Sequence, residues 1–267
     1  MFGMDVWIRQ KPLPVAGLSD DQSAWGATAV ASTNRTLLKR LAVDLAELCS
    51  DPENLDYAFD LLNATYGTEV AQAARDRLKT DPAIRPLVQK RYWGNWPALP
   101  KLVALPAGSL GHVYGLFMTS QGLSELPVPV LPSGVGGDDA YLQMRIRHTH
   151  DLWHVIAGLP ITLAGEAAAN GLTTEQLRWP GSALLIAADL IHRVSTGEAD
   201  AEGEEAVDVG VAIAYGLNLG ATAQPLLAQR WEEGWETPLQ TWRESLGIRT
   251  LLRHSPFPLL TGEMPRS

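Results

Sequence analysis

Cysteine is almost missing from this chain of 267 residues, which contains a single one, Cys49. One cysteine cannot build an internal disulfide framework, and it excludes a cysteine-rich zinc site. The chain also lacks a glycine-rich phosphate-binding loop, a Gly-x-Ser-x-Gly nucleophile turn and an internal repeat. The sequence signatures of P-loop proteins, serine hydrolases and repeat proteins are therefore absent.

Positive charge is also scarce, because 21 Lys and Arg residues face 30 Asp and Glu residues, for a formal net charge of −9. This balance argues against nucleic acid as a partner and against electrostatic adsorption to anionic lipid. Apolar residues make up 46% of the chain and charged residues 19%. A chain of this length and composition can bury a substantial core in one large domain or two small ones.

Strand-like patterns are lacking as well, since no stretch alternates convincingly between apolar and polar residues. Apolar residues recur instead at steps of three and four, as over residues 34–48, which is typical of helices. Two runs without charged residues, 102–124 and 209–229, have the length of a membrane span. Glycine and proline interrupt both runs, so we interpret them as buried helices joined to breaks. The sequence predicts an all-α fold, a single-domain multi-helix bundle.

Three segments are predicted along the chain. Residues 1–31 form an extended lead-in, residues 32–250 the all-α domain, and residues 251–267 a C-terminal tail. Within the domain, residues 127–137 are rich in proline and glycine and predict a linker-like loop, and residues 197–205 predict an acidic loop.

Caps and breakers predict individual helix ends. Asp81, followed by proline, is predicted to be the N-cap of a short helix. The helix that begins at Ile161 is predicted to end at Asn170-Gly171, a typical stop signal, after which Thr173 caps the next helix. The acidic pair Asp138-Asp139 is predicted to open the central helix, which runs from Gly137 to about Ala157. A further helix is predicted over residues 226–235.

The chemistry is concentrated in one stretch that contains His150-Asp151-x-x-His154 and, after eleven further residues, Glu166. His150 and His154 are four residues apart, so on a helix their side chains lie on one face. Imidazole and carboxylate groups are the ligands that a divalent metal ion needs. On one unbroken helix Glu166 would be too far from His154, but the break at Gly158–Pro160 allows two antiparallel helices to bring them together. The sequence therefore predicts a central metal-binding helix pair broken at this point.

A structural interpretation must be weighed against this one, because most histidines on helices are ordinary core or surface residues. Asp151 and Glu166, however, lie among strongly apolar neighbours, where an unpaired carboxylate costs several kcal/mol. They should therefore be paired or bound to a metal. His148 lies on the opposite face and is interpreted as structural or surface. Asp189 and His192 are interpreted as a helix-surface pair, or alternatively as partners of the metal ligands.

Two further features leave alternatives open. The aromatic segment at residues 92–97 predicts a satellite core under a long connection, or else an interfacial membrane contact. Small residues in the apolar helices, such as Gly165, Gly210, Gly216 and Gly220, predict close helix packing. They could instead leave a tunnel for an elongated apolar ligand.

Taken together, these residues resemble the ubiquinone (coenzyme Q) biosynthesis protein 4 family, over roughly residues 55–248. The hallmark His-Asp-x-x-His-x11-Glu is the strongest match, and three other stretches match in the right order. The matching stretches are Arg145-x-Arg147 with the metal motif, Gly158-Leu159-Pro160 with Gly165-Glu166, the turn from Leu105 to Gly111 followed by Tyr114, and Arg230-Trp231-Glu232 with Leu246-Gly247-Ile248.

The resemblance implies an all-α protein that holds a divalent metal ion through His150, Asp151, His154 and Glu166. The metal could be Zn, Fe, Mn, Co or Mg, since all accept nitrogen and oxygen ligands. It also implies a hydrophobic channel for a polyprenyl chain and replacement of the carboxylate of a prenylated hydroxybenzoate by a hydroxyl group. On this hypothesis Asp151 and Glu166 are catalytic. The predicted substrate-binding residues are Arg145, Arg147 and Tyr114.

Two alternatives remain beside the enzyme. The first is a lipid-binding scaffold of a quinone-biosynthesis complex, with a structural metal. The second, a metal-dependent phosphohydrolase, is weaker because Arg145 and Arg147 are the only basic residues close to the motif. The expected partners are a prenylated aromatic lipid, other quinone-biosynthesis proteins and a second copy of the chain in a homodimer. Because no transit peptide is apparent, we expect a cytoplasmic location or peripheral contact with the inner face of a bacterial membrane.

Overall fold

A computed structural model describes residues 27–52, 54–66, 68–123, 137–196 and 207–258. Over these ranges the regular secondary structure is helical, and the one β-type contact is an isolated bridge between Ser109 and Pro238. The predicted all-α class is therefore confirmed. The predicted loops over 127–137 and 197–205 fall outside the described residues, apart from Gly137. The three predicted segments stay a prediction.

The described part of the chain forms twelve α-helices in succession. They are α1 (Ala27–Ser50), α2 (Leu55–Tyr66), α3 (Glu69–Thr80), α4 (Arg85–Lys90), α5 (Leu99–Val103), α6 (Leu110–Ser120), α7 (Gly137–Ala157), α8 (Leu163–Leu177), α9 (Pro180–Thr196), α10 (Val209–Thr222), α11 (Leu239–Ser245) and α12 (Arg249–Leu252). Two short 3-10 turns, Leu226–Ala228 and Trp231–Glu233, lie between α10 and α11. None of the helices within the described ranges combines the length and apolar character needed to cross a membrane.

Helix α7 is the centre of the main hydrophobic core. Its apolar residues Leu152, Trp153, Val155 and Ile156 are all at most 2% exposed. Burial of one such side chain stabilises the fold by about 1.5–3 kcal/mol. A smaller core of Leu48, Leu61 and Ala188 joins α1, α2 and α9.

The N-terminal end of α7 is held by acidic residues, which suit the positive end of a helix. Asp139 forms an ion pair with Lys79 at 2.7 Å and a longer one with Arg75 at 3.4 Å, both from α3. Asp138 pairs with Arg91. The sequence prediction that the acidic pair opens a helix from Gly137 to about Ala157 is confirmed.

The C-terminal end of α7 is closed by Gly158, whose φ of +68° lies in the left-handed region. The Leu159 N–H donates to the His154 carbonyl at 2.9 Å, and the Gly158 N–H reaches the Val155 carbonyl at 3.4 Å. These two bonds are those of a Schellman motif. The predicted break is confirmed, but the residue that turns the chain is Gly158 rather than Pro160, because glycine adopts positive φ without steric cost.

The predicted end of α8 at Asn170-Gly171 is wrong, since the helix continues to Leu177. Gly171 is there for close packing: a Cβ at this position would lie 2.9 Å from the Ile213 carbonyl of α10. A Cβ on Gly216 would likewise overlap the Ala168 carbonyl. Thr173 is not a cap, because its hydroxyl donates to the Ala169 carbonyl inside the helix at 2.8 Å. At Gly171 and Gly216 the small residues therefore serve close helix packing.

Two other local predictions need correction. Asp81 does not start a helix, because α4 begins only at Arg85; its carboxylate instead accepts the Ala83 N–H at 2.8 Å in a turn. The helix predicted over 226–235 is replaced by the two 3-10 turns. There the Gln229 carbonyl accepts a hydrogen bond from Arg145 at 2.6 Å. This hydrogen bond ties the segment between the two 3-10 turns to α7.

Candidate metal centre

Three of the four predicted metal ligands converge where α7 and α8 meet. One ligand atom from each of His150, His154 and Glu166 lies within 4.8 Å of the other two. Glu166 Oε1 is 3.5 Å from His154 Nε2, and Glu166 Oε2 is 3.9 Å from His150 Nε2. We call these three residues the metal triad, since two imidazoles and a carboxylate are a common donor set for a divalent cation.

The turn between the helices explains why Glu166 faces the two histidines. Thr162 caps α8 by accepting the Gly165 N–H on its hydroxyl at 3.2 Å, and its carbonyl accepts the Glu166 N–H at 2.9 Å. A Cβ on Gly165 would overlap the Pro160 carbonyl. Only glycine allows the chain to fold back this tightly, and the fold-back places Glu166 in the first turn of α8.

His154 is the most buried member of the metal triad, with 1% of its surface exposed. Its Nδ1 lies 3.2 Å from the Leu159 carbonyl, an acceptor, so Nδ1 carries the proton of the neutral ring and Nε2 carries the lone pair. Within the described part of the chain, Nε2 has no hydrogen-bond partner. Buried polar atoms are rarely left in this state, and a metal ion would satisfy this one.

The charges of the triad favour binding a cation. Burial opposes the protonated form of His154, but Glu166 raises the pKa of this imidazole above its ordinary value. Burial likewise acts to raise the pKa of Glu166, but attraction to His154 and His150 lowers it to about 2. Glu166 is therefore an anion at neutral pH. Its side chain is 37% exposed, whereas those of His150 and His154 are 15% and 1% exposed, so the site opens to solvent on the Glu166 side.

Asp151, predicted as the fourth ligand, lies on the other edge of the His150 ring. It is 4% exposed, and its Oδ1 is 3.5 Å from His150 Nδ1 rather than beside the converging Nε2 atoms. Its charge reaches Tyr114, whose pKa burial and Asp151 raise together. It also opposes the effect of burial, which lowers the pKa of Arg147. The predicted ligand and catalytic roles of Asp151, and the substrate-binding roles of Tyr114 and Arg147, stay predictions.

Arg145 lies apart from the metal triad in a buried cluster. Its side chain is 1% exposed and its Nη1 is 2.7 Å from Oε1 of Glu232, whose side chain is fully buried. Trp96 Nε1 donates to the same Glu232 oxygen at 3.1 Å. We call Arg145, Glu232 and Trp96 the closed cluster. Substrate binding by Arg145 stays a prediction, but this position favours a structural role, because its charge is neutralised inside the protein.

His148 has the structural position that its place on the helix suggested. Its ring packs against those of Trp96, at 4.0 Å between centroids, and Trp93, at 4.7 Å. Burial, with the nearby Arg145 and Arg147 charges, lowers the pKa of His148 to about 4. The aromatic segment thus packs on the protein's own core, as the satellite-core interpretation predicted.

Two long-range interactions could not be found from local sequence. Arg243, on α11, donates to the Ile156 and Val155 carbonyls of α7 at 2.9 and 2.8 Å. His192 Nδ1 lies 2.8 Å from the Cys49 carbonyl, which links α9 to α1 instead of supporting the metal triad. In each case the partner is distant in sequence, and no local pattern indicates it.

The comparisons with known proteins agree with this architecture. The family model of the coenzyme Q (ubiquinone) biosynthesis protein Coq4 matches residues 33–251. The rat mitochondrial ubiquinone biosynthesis protein COQ4 homolog is 29% identical over 198 residues, which cover 73% of this chain and 71% of that protein. The human homolog is 28% identical, with 70% and 69% covered.

A fungal and a cyanobacterial protein extend the comparison. The Eremothecium gossypii mitochondrial COQ4 is 30% identical over 155 residues, which are 57% of this chain and 45% of that protein. The chain thus spans less than half of that relative's length. A crystal structure from Nostoc punctiforme, of a protein assigned to ubiquinone biosynthesis, superposes with a TM-score of 0.64 at 29% identity. The superposition covers 80% of this chain and 98% of that one.

Proposed function

Because this chain belongs to the coenzyme Q (ubiquinone) biosynthesis protein Coq4 family, we propose that it acts in ubiquinone or prenylquinone synthesis through a bound divalent metal ion. The proposed reaction replaces the carboxylate of a prenylated hydroxybenzoate-type ring by a hydroxyl group. Written with dioxygen, ArCOOH, O2, two electrons and two protons give ArOH, CO2 and water. The reaction therefore needs a reductant as well as the metal.

One observation carries the proposal: His154 Nε2 is buried without a hydrogen-bond partner among the described residues and faces the carboxylate of Glu166. The donor set of two nitrogens and a carboxylate fits Zn, Fe, Mn, Co or Mg. Asp151 is the proposed fourth ligand, or alternatively the group that exchanges a proton beside His150. A metal ion at this site would supply a Lewis acid that holds the substrate carboxylate and phenolate.

The substrate would approach from the exposed side of Glu166, because His154 is closed off by the core. Arg147 and Tyr114 are the proposed substrate-binding side chains, since both lie within the electrostatic reach of Asp151. Burial makes Tyr114 a donor that keeps its proton, and such a hydroxyl could orient an anionic ring. Arg147 would balance the charge of the substrate carboxylate.

The polyprenyl tail needs an apolar surface, which we propose to lie along α9 and α10. Their exposed apolar side chains are Leu190, Ile191 and Val194 on α9 and Val211 and Leu217 on α10. A location in the cytoplasm or peripheral to the inner face of a bacterial membrane, homodimer formation and contacts with other quinone-biosynthesis proteins belong to the same proposal. They rest on the family relationship.

The second candidate is a non-catalytic lipid-binding scaffold with a structural metal. The buried Asp151 is the observation behind it, because a tetrahedral metal ion that drew this carboxylate in as a fourth protein ligand would be saturated and leave no position for substrate. A phosphohydrolase loses support, since Arg145, one of two basic residues near the motif, is neutralised by Glu232.

Metal analysis and a product assay test the proposal together. The purified protein should hold about one divalent ion per chain, and Glu166→Gln should lower that content strongly. Glu175→Gln, on the same helix but paired with Arg178, is the matched control and should keep the metal. With air, a reductant and the restored metal, the wild-type protein should convert a prenylated hydroxybenzoate with loss of CO2 and gain of one oxygen. Metal binding without product would favour the scaffold, and equal metal content in both variants would contradict the site.

A further inference from the structure

Arg243 is the least expected polar residue near the metal triad. It lies on α11 and is 0% exposed. Its Nε donates to the Ile156 carbonyl at 2.9 Å, and its Nη2 donates to the Val155 carbonyl at 2.8 Å. Both acceptors belong to the last turn of α7, directly after His154. A buried guanidinium thus caps the metal-bearing helix.

This turn has few other donors for its carbonyl groups. The His154 carbonyl is satisfied by the Leu159 N–H at 2.9 Å, but the Gly158 N–H reaches the Val155 carbonyl only at 3.4 Å. The last carbonyls of a helix have no partners within the helix and carry partial negative charge. Arg243 supplies both the missing hydrogen bonds and a positive charge at this helix end.

The same turn orients the imidazole of His154. Leu159 donates its N–H to the His154 carbonyl and accepts at its own carbonyl from the Nδ1 side of the His154 ring, 3.2 Å away. The Gly158 position is packed from the other side, because a Cβ there would lie 3.1 Å from Leu252 and 3.7 Å from Arg243. Leu252 and Arg243 therefore lie directly beside the turn that orients the His154 ring.

We propose that Arg243 is a positioning residue of the metal centre, which acts by holding the α7 terminal turn so that Leu159 fixes His154 Nδ1–H and Nε2 points at the metal. This inference rests on the proposed metal site. It differs from ordinary helix capping, in which Arg243 would contribute stability and leave the metal affinity unchanged.

A pair of arginine variants separates these two roles. Arg243→Met keeps the length of the side chain and removes its donors. Arg75→Met is the matched control, because Arg75 is also buried, donates to the Tyr66 carbonyl at 3.0 Å, and supports the other end of α7 through Asp139. Co2+ is the probe: its Kd and visible absorption bands are measured at a temperature where every variant is folded, together with thermal unfolding of the metal-free proteins.

We expect both variants to lose stability, but only Arg243→Met to weaken Co2+ binding, by about tenfold or more, and to change the absorption bands. Arg243→Lys, which can still donate to one carbonyl, should recover part of the affinity. In the metal-free proteins, at a pH high enough to leave the imidazoles neutral, 15N NMR of the histidine rings should show the Nδ1–H tautomer of His154 in the wild type and a mixture in Arg243→Met. This readout does not depend on the metal.

The outcomes distinguish the inference from the proposed function. Wild-type protein that binds Co2+ while Arg243→Met binds it equally well, with the same bands and tautomer, would overturn the positioning role alone. Wild-type protein that fails to bind Co2+ would overturn the metal site and this inference with it. Should Arg243→Met not fold, Arg243→Lys decides: unchanged Kd and bands despite a lower melting temperature would leave only a structural cap.

Discussion

Two groups of polar residues, each with a member on α7, differ in how closely their charged groups are hydrogen-bonded. In the closed cluster, Glu232 Oε1 accepts from Arg145 at 2.7 Å and from Trp96 at 3.1 Å, and its Oε2 is 3.4 Å from Arg145. In the metal triad, the distances from Glu166 to the two histidines are 3.5 and 3.9 Å, and His154 Nε2 has no hydrogen-bond partner within the described residues. Both clusters hold charged groups, but only the first has short hydrogen bonds.

The difference distinguishes polar residues that stabilise the fold from those that we propose to bind a metal ion. Burying a charge costs free energy that close hydrogen bonds and an opposite charge must offset, and the closed cluster has both. In the metal triad the contacts between Glu166 and the two histidines are 3.5 Å or longer, and the Glu166 side chain is partly exposed to water. A buried polar atom without a partner needs an explanation, and a bound metal ion supplies one for His154 Nε2. Substitutions in the closed cluster should therefore cost stability, whereas those in the triad should cost metal binding.

The largest effect is expected for Glu232→Ala, which leaves the Arg145 guanidinium buried without its carboxylate. We expect a loss of about 3–5 kcal/mol in the free energy of unfolding, measured by denaturant titration of the metal-free protein. Glu233→Ala is the control, since its neighbouring carboxylate is 56% exposed and should cost less than about 1 kcal/mol. Equal losses of unfolding free energy in the two variants would show that the buried carboxylate contributes no more to stability than the exposed one.

Acid should weaken the same cluster through His148, which packs on Trp96. Because burial lowers the pKa of His148 from 6.5 to about 4, the unfolded chain binds a proton in this window that the folded chain does not. Stability should then fall as the pH drops from 6.5 to 4, by up to about 3 kcal/mol from this residue, and the contribution of His148 should be constant below pH 4. His148→Phe should show a smaller loss over this window. Parallel pH profiles for the two proteins would contradict the assignment.

A double substitution sharpens the comparison at a smaller cost. Replacing Arg145 and Glu232 together by methionine removes both charges and keeps most of the volume. We expect this variant to be more stable than Glu232→Ala by about 2 kcal/mol or more, because no charge is left buried and unpaired. Trp96 Nε1 keeps the Trp93 carbonyl as an acceptor, at 3.2 Å. A double variant as unstable as the single one would mean that packing, not charge, accounts for the loss.

What could be predicted from the sequence depended on how far apart two interacting residues lie along the chain. Both ends of α7 and the approach of Glu166 to His154 followed from local signals: acidic residues at the start, a glycine and proline break, and fixed spacing. The predicted end of α8 failed because Gly171 was interpreted as a local stop signal, whereas it serves contact with α10.

The pairing of Arg145 with Glu232 could not be predicted for the same reason. Arg145 and Glu232 are 87 residues apart, and no periodicity connects them. Both residues belong to the stretches that carried the family resemblance. A motif alone, however, does not distinguish a charged side chain that binds a ligand from one that forms an ion pair within the protein. Burial and distances make that distinction, and they become known only when the two segments are folded together.

In the metal triad, Glu166→Gln should cost less than about 1 kcal/mol in the metal-free protein, because the carboxylate is partly exposed and loosely paired. Its pKa of about 2 means that the carboxylate is an anion at neutral pH, and the stability that its ionisation contributes is lost only as the pH falls below the usual glutamate value. Metal affinity, measured by titration with Zn2+ or Co2+, should fall by about tenfold or more. If Glu166→Gln lost as much unfolding free energy as Glu232→Ala, the distinction between the two clusters would be wrong.

The smallest effect on stability is expected for Asp151→Asn, which tests whether a fourth residue belongs to the metal triad. Asparagine keeps the shape and an oxygen beside His150 Nδ1, 3.5 Å away in the wild type, but loses the charge. We expect its free energy of unfolding to lie within about 1 kcal/mol of the wild-type value, since a near-isosteric change creates no cavity. It should keep part of its metal, because the three converging ligand atoms remain.

Turnover of a prenylated hydroxybenzoate should be lost in Asp151→Asn if Asp151 exchanges a proton with the ring or with metal-bound water. Complete loss of metal would instead make Asp151 an indispensable ligand, and full activity would move the essential base to Glu166.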